Sequence, residues 1–247
     1  MIDVSNFKNV LETLEFTAHG DIYEKTFLAS GCSLKVDFHT KKLIYPNEIK
    51  GRERNDGFNR KENFVVFECV CRLLLKGYRP EHIELEKEWH LGHDSKSGRA
   101  DICVTDADKN MLFIIECKTW GKYDKALNDT KNDGAQLFSY WQQEQSCKWL
   151  VLYAADFRAG NITRKMSTID CSDDANIVLL SKKDKSIKLY RDAHTAAAKH
   201  ETWKATYGSR IYDDLIFSDD SVAYQSGVKP RRKKDLRDFT PDDKSVN

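Results

Sequence analysis

Apolar and polar positions alternate with two different periods along the chain, and the changes of period mark its elements. Residues 7–14 have helical spacing. Residues 22–27, 34–38 and 43–45 are short β-rich runs separated by Gly, Ser or a Lys pair. The polar stretch 51–59 holds two glycines and predicts a loop or junction. Residues 61–76 (KENFVVFECVCRLLLK) carry apolar side chains on several faces, which predicts a helix buried on more than one side. Gly77 and Pro80 supply its stop signals. Residues 82–89 alternate as a strand does, 92–98 form a polar loop, 99–105 a strand and 106–110 a turn. Residues 112–118 (LFIIECK) are almost continuously apolar, the pattern of a strand covered on both faces. A helical stretch at 122–145 precedes a second central strand at 149–155. Weaker strands at 177–181 and 187–190 and an alanine-rich helix at 192–207 follow, and the chain turns polar after Phe217.

From residue 61 to 155 the order is helix, three strands, helix, strand. Close spacing of the first strands suggests antiparallel hairpins, and the helix before the last strand allows a parallel crossover. The fold class is α/β, a mixed sheet flanked by helices. A β-rich extension at 1–57 precedes the main domain at 58–217, and a polar, basic linker or tail occupies 218–247.

Composition narrows the classes. At 247 residues the chain can bury one large core. Aromatic residues make up 11%, too many for a disordered chain. The apolar runs are far shorter than a membrane span, so no membrane role is expected. The first residues carry acidic side chains and no signal-peptide hydrophobic region. Of the seven cysteines, Cys69, Cys103 and Cys117 lie in apolar runs, and no CxxC occurs; reduced thiols in a cytoplasmic protein are expected. Net charge is only +1, so affinity for nucleic acid has to come from local patches. The stretch 229–247 holds seven Lys/Arg against four Asp and reads as linker, its RRKK run at 231–234 included.

Three ionisable residues stand in otherwise apolar strands: Asp101, Glu116 and Lys118. Burying a charge costs several kcal/mol unless it is paired or bound to metal. Glu116 and Lys118 are two apart and share a strand face. Asp101 lies on the preceding strand, where hairpin pairing can bring it beside Glu116. Two hard carboxylates at one point suit Mg²⁺, and a neighbouring lysine can orient water and offset developing negative charge. E-x-K by itself is a common surface ion pair; it is the apolar run ahead of Glu116 that gives it weight.

Gly98–Ile102 (GRADI), the interval of fifteen from Asp101 to Glu116, and IIECKT at 114–119 resemble the D…E-x-K site of PD-(D/E)xK nucleases. More narrowly, the chain is similar to the N-terminal nuclease domain of type I restriction-enzyme R subunits and related fused restriction–modification proteins. Gln136-x-x-x-Tyr140 resembles the Q-x-x-x-Y motif of those R subunits and of RecB-type nucleases, and i,i+4 spacing puts both side chains on one helix face. The resemblance covers about 60–157, with Ala100 in place of the eponymous proline.

The resemblance implies a restriction-endonuclease-like fold and a Mg²⁺-dependent endodeoxyribonuclease, with Mn²⁺ as a substitute. Asp101 and Glu116 are then the metal ligands, Lys118 the water-positioning residue, and Gln136 and Tyr140 supports of the site or of the DNA backbone. A helix glutamate completes the pattern; Glu62 and Glu68 are both candidates, and Glu62 is preferred because it also favours the helix dipole. The implied partners are DNA and the motor, methyltransferase and specificity parts of a restriction complex. Neither a GxxxxGK[ST] loop nor a methyltransferase segment is visible. Two other readings stand beside this one: a stand-alone nuclease of repair or recombination, and a silent DNA- or subunit-binding copy of the fold. His90 and His93 are weak as metal ligands, and Trp120 and Tyr123 suit either base stacking or ordinary packing.

Overall fold

A computed structural model of the chain describes residues 1–171 apart from 29, 55, 90–97 and 134. The strands expected at 177–181 and 187–190, the helix at 192–207, the tail at 218–247 and the histidines at 90 and 93 lie outside the described residues.

The chain opens with helix α1 (Phe7–Thr13) and an antiparallel sheet of β1 (Thr17–His19), β2 (Ile22–Phe27), β3 (Cys32–Asp37) and β4 (Lys42–Ile44), in sequence order. β3 alternates buried and half-buried positions, so one sheet face meets the core. β1 was not anticipated. All three of its residues are exposed, so no alternation betrays it; it is held by pairing with β2.

Helix α2 (Lys61–Leu75) buries every residue from 63 to 74. It is covered on more than one side, as its all-round apolar pattern predicted. From the N-terminal segment, the rings of Phe7, Phe16 and Tyr45 lie 5.9, 5.9 and 5.5 Å from that of Phe67. From the other side, Ile102, Ile115, Val151 and Tyr153 of the second sheet belong to the same hydrophobic cluster. The 51–59 junction is tied to the second sheet as well. Lys50 accepts the Leu85 amide at 2.8 Å, and a Cβ at Gly51 would run into the Leu85 carbonyl.

The second sheet holds β5 (Ile83–Glu88), β6 (Arg99–Thr105), β7 (Met111–Cys117), β8 (Trp149–Arg158) and β9 (Asn161–Asp170), in that order. All neighbours are antiparallel except β7 and β8. The crossover between those two carries α3 (Tyr123–Asp133) and α4 (Ala135–Gln143) on the face away from α2. Sequence periodicity suggested continuous helix over 122–145. The structure has two helices, and Ala135, the first residue of α4, lies in the left-handed region at φ +42°. β9 was missed as well. It is an edge strand whose first half is polar and half-buried, and it pairs with β8 along all ten residues. The result is a mixed α/β fold with helices on both faces of the main sheet and a β-rich region before it.

All seven cysteines are free. No helix among the described residues is long and apolar enough to cross a membrane. Because α2 is the layer on which both sheets pack, Phe67→Ala should cost about 3–5 kcal/mol, the usual loss for a fully buried ring. Urea denaturation of the full chain measures this.

Candidate active site

β7 is buried at every position, and it ends in the E-x-K sequence. Ile102 pairs with Ile115 across β6 and β7, so one step along the same ladder sets Asp101 opposite Glu116 on the same face. Ile115 and Cys117 point the other way, into the cluster around α2. The parity read from the sequence therefore holds in three dimensions.

The side chains form one connected network. Lys118 Nζ donates to Glu116 Oε1 at 2.5 Å and to Gln136 Oε1 at 2.9 Å. Tyr140 Oη lies 2.7 Å from the Arg99 carbonyl and 3.2 Å from Glu116 Oε2, two acceptors that share its single proton. Gln136 Nε2 sits 3.5 Å from the same hydroxyl. The Gln-x-x-x-Tyr spacing thus aims two side chains of α4 at two groups of the β7 terminus, one at the lysine and one at the glutamate. Asp101 Oδ2 accepts the Cys117 amide at 2.7 Å. Its Oδ1 has no hydrogen-bond donor among the described residues.

Tyr140 needs room. Its ring stacks on Trp89 at 5.6 Å, and a Cβ on Gly98 would lie 2.7 Å from Tyr140 Cε1. The glycine of GRADI is therefore required by the close approach of this ring to the backbone.

The electrostatics follow from burial. Asp101 is held well above the ordinary carboxylate range, first by burial and then by the charge of Glu116; the Cys117 amide opposes the shift. Burial also raises Glu116, against the pull of Lys118. For Lys118, burial acts downward, but the attraction and hydrogen bond of Glu116, with Asp101 behind it, prevail and keep the ammonium charged. Lys118 is accordingly a donor and a cation here, not a base. Tyr140 is pushed up by burial and by the same two carboxylates, so it stays a neutral donor.

A cleft of about 820 Å³ opens beside this network, lined by Glu62, Glu116, Lys118, Lys122, Asp129 and Gln136 among others. Glu62, in the first turn of α2, reaches the cleft and pairs with Lys122 at 3.3 Å. Glu68 is elsewhere. It is fully buried on the other side of the sheet, accepting Tyr153 Oη at 2.5 Å and Arg164 Nε at 2.8 Å. Tyr123 is buried and bonded to Ser167 at 2.7 Å. Trp120 carries Lys165 over its ring at 4.7 Å.

Among the described residues no group of three or more His, Cys, Asp or Glu is placed to hold a metal. The donor set at this point is the Asp101–Glu116 pair alone. Its chemistry fits a hard divalent cation that keeps several waters: two oxygen donors, both with proton affinity raised first by burial. Residues that sequence reasoning did not single out also belong to the surroundings. Glu86 is buried and paired with Arg99, and the pair sits directly beside Asp101 along the sheet. In the sequence IELEKE, Glu86 reads as an ordinary outward polar position.

Residues 67–155 match the family model described as type I restriction enzyme R protein N terminus (HSDR_N). Over this segment the chain is similar to that family; the segment contains Asp101, Glu116, Lys118, Gln136 and Tyr140, while Glu62 falls outside it. No curated protein matches the chain.

The raised carboxyl of Asp101 makes a prediction for the metal-free protein. The folded state holds that proton more tightly than the unfolded chain does. Ionised Asp101 therefore costs stability as pH rises past the unfolded carboxylate range, and the full cost is present above the folded value. Asp101→Asn keeps an acceptor for the Cys117 amide and removes the charge. In chelator at pH 8 it should be more stable than the parent by about 1–3 kcal/mol, and the gap should close toward acid pH. Thermal melts across pH check this.

Proposed function

We propose that the chain is the DNA-cutting module of a type I-like restriction–modification enzyme, a Mg²⁺-dependent endodeoxyribonuclease that hydrolyses phosphodiesters. The observation that carries this reading is the single network joining Glu116, Lys118, Gln136 and Tyr140, with Asp101 opposite Glu116 on the same sheet face. It lies at the carboxyl end of the only parallel strand pair among the described residues and faces an open cleft.

Asp101 and Glu116 would hold the metal, with waters and a phosphate oxygen completing its shell; Mn²⁺ suits the same donors. Once bound, the ion supplies Lewis-acid polarisation of the phosphate and an acidified water. The remaining work falls to the chain. Lys118, fixed between Glu116 and Gln136, directs its ammonium at the attacking water and offsets negative charge that develops on the phosphate. Tyr140 holds the far oxygen of Glu116, which sets the direction of that carboxylate. Glu62 and Lys122 form an exposed ion pair at the cleft, where a DNA phosphate can exchange for the carboxylate on the lysine. The motor, methyltransferase and target-recognition functions belong to other domains or subunits of the complex.

In the complete enzyme, Asp101→Ala, Glu116→Ala and Lys118→Ala should each abolish DNA cleavage while DNA binding and ATP hydrolysis persist. Wild-type cutting by Glu116→Ala would overturn the assignment. Gln136→Ala removes one hydrogen bond to a charged group, and should slow cleavage roughly 10–100-fold with little change in melting temperature. Single-turnover cleavage assays beside thermal melts distinguish loss of alignment from loss of packing.

The chain alone should be a poor nuclease. A net charge of +1 gives little counterion-release affinity, so contact with DNA is weak and salt-sensitive. With nothing to hold a given phosphate in line, effective molarity is lost. Plasmid incubated with the 247-residue chain and Mg²⁺ at physiological salt should remain uncut, and adding the motor-bearing partner should restore cutting. A clean site-specific digest by the chain alone would favour a stand-alone enzyme.

A further inference from the structure

Glu86 is the least expected residue near the site. It sits inside β5 with φ +53°, a left-handed backbone that a glutamate adopts only at a cost. It is 5% exposed, yet it is an acid. The β5–β6 ladder pairs Leu85 with Ile102 and Lys87 with Ala100, so Glu86 occupies the level of Asp101. Three carboxylates, those of Glu86, Asp101 and Glu116, therefore come from one level of three adjacent strands. Two of them are accounted for by the site; Glu86 is not.

Its partner explains the placement. The Arg99 guanidinium pairs with Glu86 through Nε, and with Glu88 more distantly at 3.9 Å. Arg99 also offers its carbonyl to Tyr140 Oη at 2.7 Å, and Tyr140 in turn contacts Glu116. Two residues further along the strand is Asp101. One residue thus joins three things: the strained turn of β5, the tyrosine that orients Glu116, and the start of the strand that carries Asp101.

We propose that Glu86 and Arg99 are positioning residues of the site: their ion pair fixes the first residues of β6, so that Asp101 keeps its place on the Cys117 amide and the Arg99 carbonyl keeps Tyr140 on Glu116. The strained backbone at Glu86 is what turns its carboxylate toward Arg99. The Arg99 cation stands against the charge of Glu86, which lies close enough to act on Asp101. Neither residue touches substrate. The inference builds on the nuclease reading above for its consequence, but the geometry it asserts is independent of metal and of cutting.

The test uses Glu86→Gly in the full chain. Glycine accepts φ +53° without strain, so backbone relief offsets part of the lost pairing and the melting temperature should stay within a few degrees of the parent. The readout in metal-free protein is hydrogen exchange of the Cys117 amide, whose acceptor is Asp101 Oδ2. We expect at least tenfold faster exchange in Glu86→Gly and Arg99→Met, with near-parental exchange in Glu86→Gln, which keeps an acceptor for Arg99. Mn²⁺ titration of the same proteins should show affinity weakened about tenfold in the first two and retained in the third. Parental Cys117 exchange in Glu86→Gly would overturn the proposal, as would faster exchange in the glutamine variant equal to that in the glycine one. Asp101→Ala serves as the control on the broader reading. If it binds Mn²⁺ as the parent does, the metal assignment fails, while the exchange result still decides the positioning role of Glu86 and Arg99.

Discussion

The structure turns on one costly placement, a carboxylate at position 116 inside a strand with no exposed residue. A charge there cannot be solvated, so the surroundings have to supply what water does not. Lys118 gives the opposite charge, Tyr140 a hydrogen bond, and Gln136 keeps the lysine from swinging away. Asp101 adds a second acid, whose proton affinity is raised by burial and by the charge of Glu116. A fold selected only for stability would have an apolar pair at these two positions. Keeping two acids opposite each other creates a standing demand for positive charge, which the proposed divalent cation would answer.

This is also why the centre of the site could be read from the sequence. A charged residue in an apolar run is visible without any structure, and the two-residue strand period fixes that Glu116 and Lys118 share a face. Gln136 and Tyr140 were legible for the same reason, through helical spacing. Where burial follows from regular periodicity, as in α2, β6 and β7, the pattern also located the element to within a residue or two. The reading failed where tertiary pairing or local backbone overrides the pattern. β1 is wholly exposed and the first half of β9 is polar, so strand pairing, not side-chain burial, defines them. The break before α4 coincides with a left-handed backbone at Ala135 that no side-chain pattern announces. Glu86 occupies a position that alternation assigns to solvent, and it is buried with a positive φ beside its arginine partner. The two candidate helix glutamates differ by six residues in sequence, and periodicity could not separate them; the sheet behind α2 does, by enclosing Glu68 with Tyr153 and Arg164.

The N-terminal sheet, whose sequence carries no chemical motif, acquires a role from packing. It covers the side of α2 that the main sheet leaves open, and aromatic contacts from Phe7, Phe16 and Tyr45 converge on Phe67. The same helix presents Glu62 to the cleft from its first turn and anchors Glu68 from its second. A helix that frayed at its N-terminus would release Glu62 from Lys122 and loosen the cleft wall. Residues 1–57 therefore bear on the site through rigidity: they hold still the helix from which one of its acids projects. The division of labour is physical. Loops and edge strands tolerate movement, whereas the hydrogen-bonded network of Glu116, Lys118, Gln136 and Tyr140 depends on fixed positions. The whole N-terminal half of the described chain serves that requirement from a distance.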